Sequence, residues 1–313
     1  MSRDTEPAGS VGPHRSRARV QAAQRAAIRA VGKPWGAQSL HPWNGSVVAP
    51  GEPIGELWFD PAGGAPDQSD LLLKLLFTEQ ILSVQVHPDD DYARALGQPN
   101  GKSEAWYVLS ARPGSRVAIG LITRLSQREL RAAALDGSIA NLIAWREVVA
   151  GDVVNVPAGT IHAIGPGIVI AEIQQRSDAT FRLFDFGRQR ELHLDHALAI
   201  ADAGPLPDQA PMIALDAIRT VLVASEAFVL ERLHLPPFSR HRITVDREGW
   251  ILAVAGSVGV DNVHLDIAEA AYLCATSTIL TTGAVPCVVL FVYPGPSPAL
   301  DLVVGAELQE NFP

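Results

Sequence analysis

From residue 31 onward, short apolar stretches alternate with glycine and proline, and this texture limits the fold more than any other feature. The sequence contains 26 glycines and 23 prolines. Glycine permits tight turns and proline interrupts helices and central strands, so this spacing is typical of strands joined by turns. The chain therefore predicts a mainly β protein. The clearest predicted strands are 81–87, 105–109, 116–121, 153–156, 169–173 and 180–184, followed by 228–235, 250–255, 257–260, 271–275 and 286–293.

Two short helices interrupt the predicted strands between Ser126 and Trp145. Ser126 is a preferred N-cap residue, and Glu129 three positions later completes a capping box. Residues 192–203 are a further helical candidate, ended by the Gly-Pro-Leu-Pro segment 204–207. Since 313 residues are about twice a common domain length, we expect two domains. Their expected ranges are 31–204, with the helical insertion, and 205–313, with few clustered polar residues and no metal site.

The first 30 residues differ from the rest in composition. Six arginines stand there against two acidic residues, namely Arg3, Arg15, Arg17, Arg19, Arg25 and Arg29 against Asp4 and Glu6. We expect a flexible Arg-rich tail over 1–30. Residues 18–31 can form a short Ala-rich helix that leads from this tail into the first domain. An Arg-rich, acid-poor transit peptide is the alternative.

Charge and cysteine content exclude several classes of partner. A formal net charge of −9 opposes binding to nucleic acid or to an anionic membrane, whereas a small anion needs only a local cluster of cations. Cys274 and Cys287 are the only cysteines, which is too few for a disulfide framework and fits a reducing cytoplasm. No run reaches the roughly 18 apolar residues that span a bilayer. Lys74 interrupts even the densest early run, 71–77.

The segment 151–162, with the sequence GDVVNVPAGTIH, is the most informative part of the chain. Gly151 begins a turn into a strand, Pro157 and Gly159 bend the chain at the strand's end, and His162 then points into a barrel from the next strand. This spacing resembles the second metal motif of cupins. Pro166 stands where that motif usually has asparagine.

The first cupin metal motif is altered in this chain. Gln85 and His87 are two residues apart on a predicted strand, so both side chains point to one face. Cupins normally have histidine at both positions and a glutamate nearby, whereas Glu104 lies 17 residues beyond His87. Together with the segments 85–88 (QVHP), 101–107 (GKSEAWY) and 174–188, these departures resemble the type 1 mannose-6-phosphate isomerases in their short bacterial form. The resemblance extends over about residues 31–300.

The resemblance implies a fold and a reaction. The fold would be two cupin-like jelly-roll β-barrels with a short helical insertion in the first. The reaction would be the interconversion of mannose 6-phosphate and fructose 6-phosphate through an enediol or enediolate, with a small-molecule sugar phosphate as partner. It also implies one Zn²⁺ per chain, since two imidazoles, a carboxylate and an amide oxygen suit this ion. The implied ligands are Gln85, His87, Glu104 and His162.

Two further residues are implied as catalytic. Lys102 would face the site, where burial and a nearby cation lower its pKa for proton transfer, or it would contact the phosphate. Arg182 would lie in the pocket and hold the substrate anion or polarise its hydroxyls.

Each of these residues also has a plainer interpretation. Taken alone, His87 and His162 are more often hydrogen-bonded structural histidines, and Gln85 can orient a ligand instead of binding metal. Lys102 can be a solvated turn residue and Arg182 a surface charge.

Other polar residues and other functions are weaker candidates. The run Asp89 to Asp91 favours a solvated turn over a second metal site, and Glu172 either supports the site or has no role in it. The remaining histidines have no ligand spacing. A non-catalytic sugar-phosphate-binding cupin and an Fe²⁺ cupin oxygenase are the alternative functions. Gln85 weighs against the oxygenase, which ordinarily uses a His-x-His pair.

Overall fold

The structure is a computed structural model that describes residues 23–43, 52–63 and 69–308. These residues form four antiparallel β-sheets, four short α-helices and one 3₁₀ turn (Leu300–Leu302). The sheets stack face to face, and a buried apolar cluster fills each of the three spaces between them. In order through the stack we call them the outer N-terminal, inner N-terminal, inner C-terminal and outer C-terminal sheets.

The N-terminal sheets have these strands, given in spatial order. The outer sheet is β12 (Phe181–Phe184), β5 (Val84–Val86), β10 (His162–Ile164), β7 (Arg116–Leu121) and β8 (Ile143–Glu147). The inner sheet is β2 (Ala27–Ala37), β3 (Ile54–Asp60), β4 (Leu71–Thr78), β11 (Ile168–Gln175), β6 (Glu104–Ala111) and β9 (Val153–Val156).

The C-terminal sheets follow the same scheme. The inner sheet is β1 (Gln24–Arg25), β20 (Ala270–Cys274), β17 (Glu248–Ala255), β22 (Cys287–Pro294), β15 (Phe228–Leu235), β14 (Arg219–Ala224) and β13 (Ile213–Ala214). The outer sheet is β19 (Val263–Leu265), β18 (Val258–Val260), β21 (Ser277–Thr281), β16 (Ser239–Thr244) and β23 (Val303–Leu308).

Strand β4 shows how the inner sheets are buried on both faces. All eight of its residues are buried. Because side chains alternate across a strand, Leu73 and Leu75 join the cluster between the two inner sheets, whereas Leu76 joins the cluster facing the outer N-terminal sheet. A nearly continuous apolar run is the expected sequence of such a strand. Lys74 shares the face of Leu76, so its charge points into the space between the N-terminal sheets.

The predicted helical insertion is present. Helices α2 (Gln127–Asp136) and α3 (Ile139–Leu142) cover the outer N-terminal sheet together with α4 (Leu194–Ile200). The capping box of Ser126 and Glu129 is formed in both directions. These helices bury the outward face of the outer sheet, which leaves its inward face for the site.

Asp89 and Asp91 are exposed, as predicted, but the run begins a helix and not a turn. Asp89 is the N-cap of α1 (Asp90–Ala95), and its side chain accepts a hydrogen bond from the Tyr92 backbone N–H at 2.8 Å. Asp90 and Asp91 lie in the first helical turn, where the helix dipole favours acidic side chains.

The prediction for the N-terminal segment needs correction where the structure describes it. Residues 1–22 lie outside the described residues, but 24–25 and 27–37 are strands and not part of a tail or helix. Gln24 pairs with Tyr272 of β20, and Ala23 and Ala26 are buried. Tertiary pairing here overrides the helix propensity of an Ala-rich sequence. The segment passes from the inner C-terminal sheet into the inner N-terminal sheet.

The mainly β prediction is confirmed, with the sheets open and stacked in place of closed barrels. Strands of residues 27–184 build the N-terminal sheets, and those of 213–308 with β1 build the C-terminal sheets. The division at residues 204 and 205 stays a prediction. None of the described helices has the length and apolar character needed to cross a membrane.

Candidate metal centre

The two N-terminal sheets bring the motif residues together between them. Gln85 of β5 stands directly opposite His162 of the neighbouring strand β10, and His87 follows β5 on the same face as Gln85. Glu104 begins β6 of the inner sheet and shares its inward face with Trp106. Residues far apart in sequence therefore meet because the sheets face each other.

A glycine makes the close approach of Lys102 possible. A Cβ atom at Gly101 would lie 2.4 Å from the backbone carbon of Asp89. The neighbouring Lys102 N–H donates to the Pro88 carbonyl at 2.8 Å. The loop carrying Lys102 is thus packed against the residues that follow His87.

His87, Glu104 and His162 converge in a fully buried cluster. Their ligand atoms all lie within 4.8 Å of one another. His87 Nε2 is 3.3 Å from Glu104 Oε1, and His162 Nε2 is 4.0 Å from Glu104 Oε2. This brings two ring nitrogens and one carboxylate to a common point.

The second nitrogen of each ring is occupied by a backbone carbonyl. His87 Nδ1 is 2.9 Å from the Ala179 oxygen, and His162 Nδ1 is 2.9 Å from the Thr160 oxygen. Because a carbonyl can only accept, each Nδ1 carries the proton and each neutral ring presents the Nε2 lone pair to the centre. This is the usual arrangement behind metal-binding histidines.

Burial keeps both histidines neutral. Burial, and then Lys102, lower the pKa of His87. Burial and the neighbouring His87 lower the pKa of His162 to about 3. Burial alone would raise the pKa of Glu104, but the neighbouring Lys102 ammonium reverses this and holds it well below its usual range. Two neutral imidazoles and one carboxylate are the protonation states that a divalent metal requires.

The donor set fits a borderline divalent ion such as Zn²⁺. Glu104 Oε2 accepts a hydrogen bond from Trp106 Nε1 at 3.2 Å, whereas the buried Oε1 has no well-aligned hydrogen bond among the described residues. Lys102 Nζ lies 2.9 Å from that oxygen and 3.4 Å from His87 Nε2. The Glu104 carboxylate and the two imidazole nitrogens suit zinc.

Gln85 lies beside this cluster with its amide nitrogen toward His162 and its amide oxygen turned away. Its Nε2 is 3.2 Å from His162 Nε2, and its Oε1 accepts from Ser83 Oγ at 3.2 Å. An amide binds metal through oxygen, so ligation would require a rotation of about 180° about the last side-chain bond. The metal role of Gln85 stays a prediction.

A cavity of about 260 Å³ opens between the sheets beside these residues. All three lysines of the chain line it, although the chain carries a net charge of −9. Each lysine pairs with a carboxylate: Lys33 with Glu56 at 3.2 Å, Lys74 with Glu172 at 3.3 Å and Lys102 with Glu104 at 2.9 Å.

Lys102 and Arg182 both line this cavity. Burial alone would lower the pKa of Lys102, as the sequence interpretation expected, but Glu104 and Glu172 outweigh burial and raise it. Arg182 is half-buried, and its Nη1 donates to the Glu191 carbonyl at 2.6 Å. Lys102 is therefore buried and not a solvated turn residue, whereas Arg182 lines the cavity with its guanidinium partly exposed, and its role stays a prediction.

The sequence interpretation missed Lys74 and Gln174. Lys74 Nζ donates to Gln174 Oε1 at 2.6 Å, and it lies 4.5 Å from the centre of the Trp58 ring. The available signal for Lys74 was its position as the single charged residue in a strand of buried, mostly apolar residues. Gln174 stands opposite Glu104 on the next strand, which only the sheet register reveals.

Glu172 also lines the cavity. Burial and the charge of Glu104 raise the pKa of Glu172 to about 7. This carboxyl therefore exchanges protons near neutral pH, in contrast to Glu104.

Two sequence comparisons identify relatives. The chain is 37% identical over 212 residues to a mannose-6-phosphate isomerase of Streptococcus mutans and 37% identical over 150 residues to mannose-6-phosphate isomerase ManA of Bacillus subtilis. The matches cover 63% and 46% of this chain. They span 66% of the Streptococcus mutans protein and 47% of the Bacillus subtilis protein, so the chain matches only part of each relative's length. No protein-family model matches the chain.

Solved structures share the fold over most of the chain. A mannose 6-phosphate isomerase from Bacillus subtilis superposes with a TM-score of 0.76 and 24% identity, covering 87% of this chain and all of that one. A mannose 6-phosphate isomerase bound with zinc and yttrium superposes with a TM-score of 0.67 and 14% identity, over 88% of this chain and all of that one. The resemblance noted in the sequence is thereby confirmed, and the chain belongs to the mannose-6-phosphate isomerase family.

Proposed function

We propose that this chain interconverts mannose 6-phosphate and fructose 6-phosphate, with a zinc ion held by His87, Glu104 and His162 and completed by Gln85. One observation carries the proposal: two buried imidazole lone pairs and a carboxylate converge beside a cavity that holds every lysine of an acidic protein. Such a cavity suits an anionic substrate near a cation. The relatives' names supply the substrate.

Bound zinc would act as a Lewis acid that stabilises negative charge developing on the sugar oxygens. The chain's own residues fix the ligands: the carbonyls of Ala179 and Thr160 orient the two rings, and Trp106 holds one oxygen of Glu104. A site orientated in this way needs little rearrangement to bind its ion.

Proton transfer falls to cavity residues that are not zinc ligands. Isomerisation through an enediol removes a proton from one carbon and returns it to the next. Glu172, whose pKa is raised to about 7, can accept and return a proton at neutral pH. Lys102, held as an ammonium by Glu104, can donate to a sugar oxygen, and Arg182 can stabilise negative charge on the substrate.

The location that we propose is the cytoplasm. Cys274 and Cys287 are both free thiols, which fits a reducing compartment.

The test combines metal analysis with turnover. We expect purified protein to contain about one zinc per chain and to convert mannose 6-phosphate to fructose 6-phosphate. A chelator should abolish turnover, and zinc should restore it. Full turnover by demonstrably metal-free protein would refute the mechanism. Substrate binding without conversion would favour the sugar-phosphate-binding alternative, and oxygen consumption with Fe²⁺ would favour the oxygenase.

A further inference from the structure

Two arginines line the cavity, and the sequence interpretation considered only one of them. Arg182 lies on β12, and Arg190 lies in the segment between β12 and α4. Whereas each cavity lysine pairs with a glutamate, Arg182 forms no ion pair with any carboxylate among the described residues. The arginine side of the cavity therefore carries excess positive charge.

A buried carboxylate fixes the position of Arg190. Asp185 is 2% exposed, and its Oδ2 accepts from Arg190 Nε at 2.7 Å while its Oδ1 accepts from Arg190 Nη2 at 2.6 Å. Arg188 donates to the same Oδ1 from Nε at 3.0 Å and from Nη2 at 2.9 Å. One carboxylate thus serves two guanidinium groups. Arg190 Nη1 has no protein acceptor within the part of the chain that the structure describes.

The sheet register separates the arginines from the proposed zinc ligands. Arg182 stands opposite Gln85, and Gln85 stands opposite His162 on its other side. Two strand spacings, about 10 Å, therefore lie between the backbone of Arg182 and that of His162. An open-chain sugar phosphate carries its reactive carbons and its phosphate at opposite ends. With the carbonyl end at the histidines, the phosphate end would reach the arginines.

We propose that Arg190 binds the phosphate group of the substrate beside Arg182, and that Asp185 is the positioning residue that holds Arg190 there. A guanidinium group with a free Nη1 edge can donate charge-assisted hydrogen bonds to a phosphate oxygen. The buried Nε of Arg182 has no hydrogen-bond partner among the described residues, so this neighbouring side chain stays free to act on the sugar oxygens while Arg190 holds the phosphate. The identity of the substrate rests on the proposed function, whereas the phosphate site does not.

The experiment compares Arg190→Gln with Arg188→Gln. Both variants lose two hydrogen bonds to Asp185, but only Arg190 lines the cavity. We expect Arg190→Gln to raise KM for mannose 6-phosphate about ten- to a hundredfold, with kcat within about threefold, since a charged hydrogen bond to the phosphate is lost. Its affinity for inorganic phosphate, measured by calorimetry, should fall by a similar factor. Arg188→Gln should change neither quantity more than about twofold, and thermal unfolding of both variants measures the cost to the fold.

The outcomes separate this inference from the proposed function. Equal increases in KM for both variants would mean that Arg190 acts only through the fold around Asp185, and the inference would be lost. Unchanged phosphate affinity in Arg190→Gln would overturn it as well, even if the wild-type protein isomerises mannose 6-phosphate. If the wild type binds inorganic phosphate without isomerising the sugar, and Arg190→Gln loses that binding, the phosphate site stands and the proposed function falls.

Discussion

At the scale of single residues, His162 tests the proposed metal site most directly. Replacing His162 with Ala removes one of the three converging ligand groups. We expect zinc affinity to fall by about a hundredfold or more and turnover to fall with it. Elemental analysis and the isomerase assay measure the two quantities. His234→Ala is the control, because His234 is an exposed residue of β15 in the C-terminal half. Stoichiometric zinc with full activity in His162→Ala would contradict the ligand assignment.

Arg182 allows metal binding and catalysis to be separated. A guanidinium is always charged and cannot ligate zinc, so Arg182→Ala should keep its metal. Its loss should lower kcat and kcat/KM together by roughly a hundred- to a thousandfold, as for other groups that stabilise charge in the transition state. Since Arg182 also holds the Glu191 carbonyl, thermal unfolding must be measured beside the kinetics. Near-normal kcat and kcat/KM in Arg182→Ala would show that Arg182 is not a catalytic residue.

The buried histidines should make the metal-free protein sensitive to acid. In the folded state the pKa of His162 is lowered to about 3, whereas an unfolded histidine has a pKa of about 6.5. Between these values the unfolded chain binds the additional proton, so the free energy of unfolding falls as pH decreases from 6.5 toward 3. In the chelator-treated proteins, the free energy of unfolding should therefore fall less for His162→Asn than for wild type as the pH decreases from 7 to 4. Denaturant titrations at each pH measure this quantity. Parallel curves would show that His162 does not titrate in this way.

The sequence predicted candidate site residues where a motif has fixed spacing. His87 and His162 sit in such spacing, and Glu104 follows from the resemblance. Lys74 and Arg190 could not be predicted this way. The role of Lys74 depends on the register between β4 and β11, which places it opposite Glu172. The position of Arg190 depends on a hydrogen bond that it donates to a buried aspartate five positions earlier, and this pairing gives no periodic signal in the sequence.

At the scale of elements, local sequence patterns predicted the bounds of helices and strands where the pattern is specific to one kind of element. The capping box at Ser126 marked the start of α2, and strands β7, β9 and β15 have the predicted bounds. The prediction failed at Asp89, because an N-cap aspartate and a turn aspartate use the same side-chain hydrogen bond. A helix of six residues has too little periodicity to distinguish them.

The loop before β6 gives an element-scale prediction. Gly101→Ala places a Cβ atom 2.4 Å from the Asp89 backbone, so the loop that carries Lys102 must shift. We expect turnover to fall at least about tenfold, because a displacement of about 1 Å can cost a hundredfold when reacting groups must be aligned. The control is Gly283→Ala, where an added Cβ meets no atom within 4 Å of the described structure. If Gly101→Ala keeps wild-type turnover, the position of Lys102 does not matter for the reaction.

At the scale of the whole molecule, the two halves share a core. Leu57 and Phe59 from the inner N-terminal sheet and Phe228 and Leu230 from the inner C-terminal sheet belong to one buried cluster. The segment Gln24 to Ala37 also joins both inner sheets. The sequence predicts two domains because 313 residues are about twice a common domain length, but no sequence pattern reveals which sheets pack together. We therefore expect the halves to unfold as one unit.

The shared core can be tested at Phe228, which is far from the candidate site in sequence and fully buried between the inner sheets. Phe228→Ala removes a large side chain from a close-packed space and should destabilise the protein by about 3–5 kcal/mol. If the halves are one cooperative unit, circular dichroism and residual isomerase activity will give coincident denaturant midpoints, both shifted to lower concentration. Val285→Ala, at an exposed position of the same half, should shift neither midpoint appreciably. Separate midpoints in Phe228→Ala, with activity surviving the first transition, would mean that the N-terminal sheets fold without the C-terminal ones.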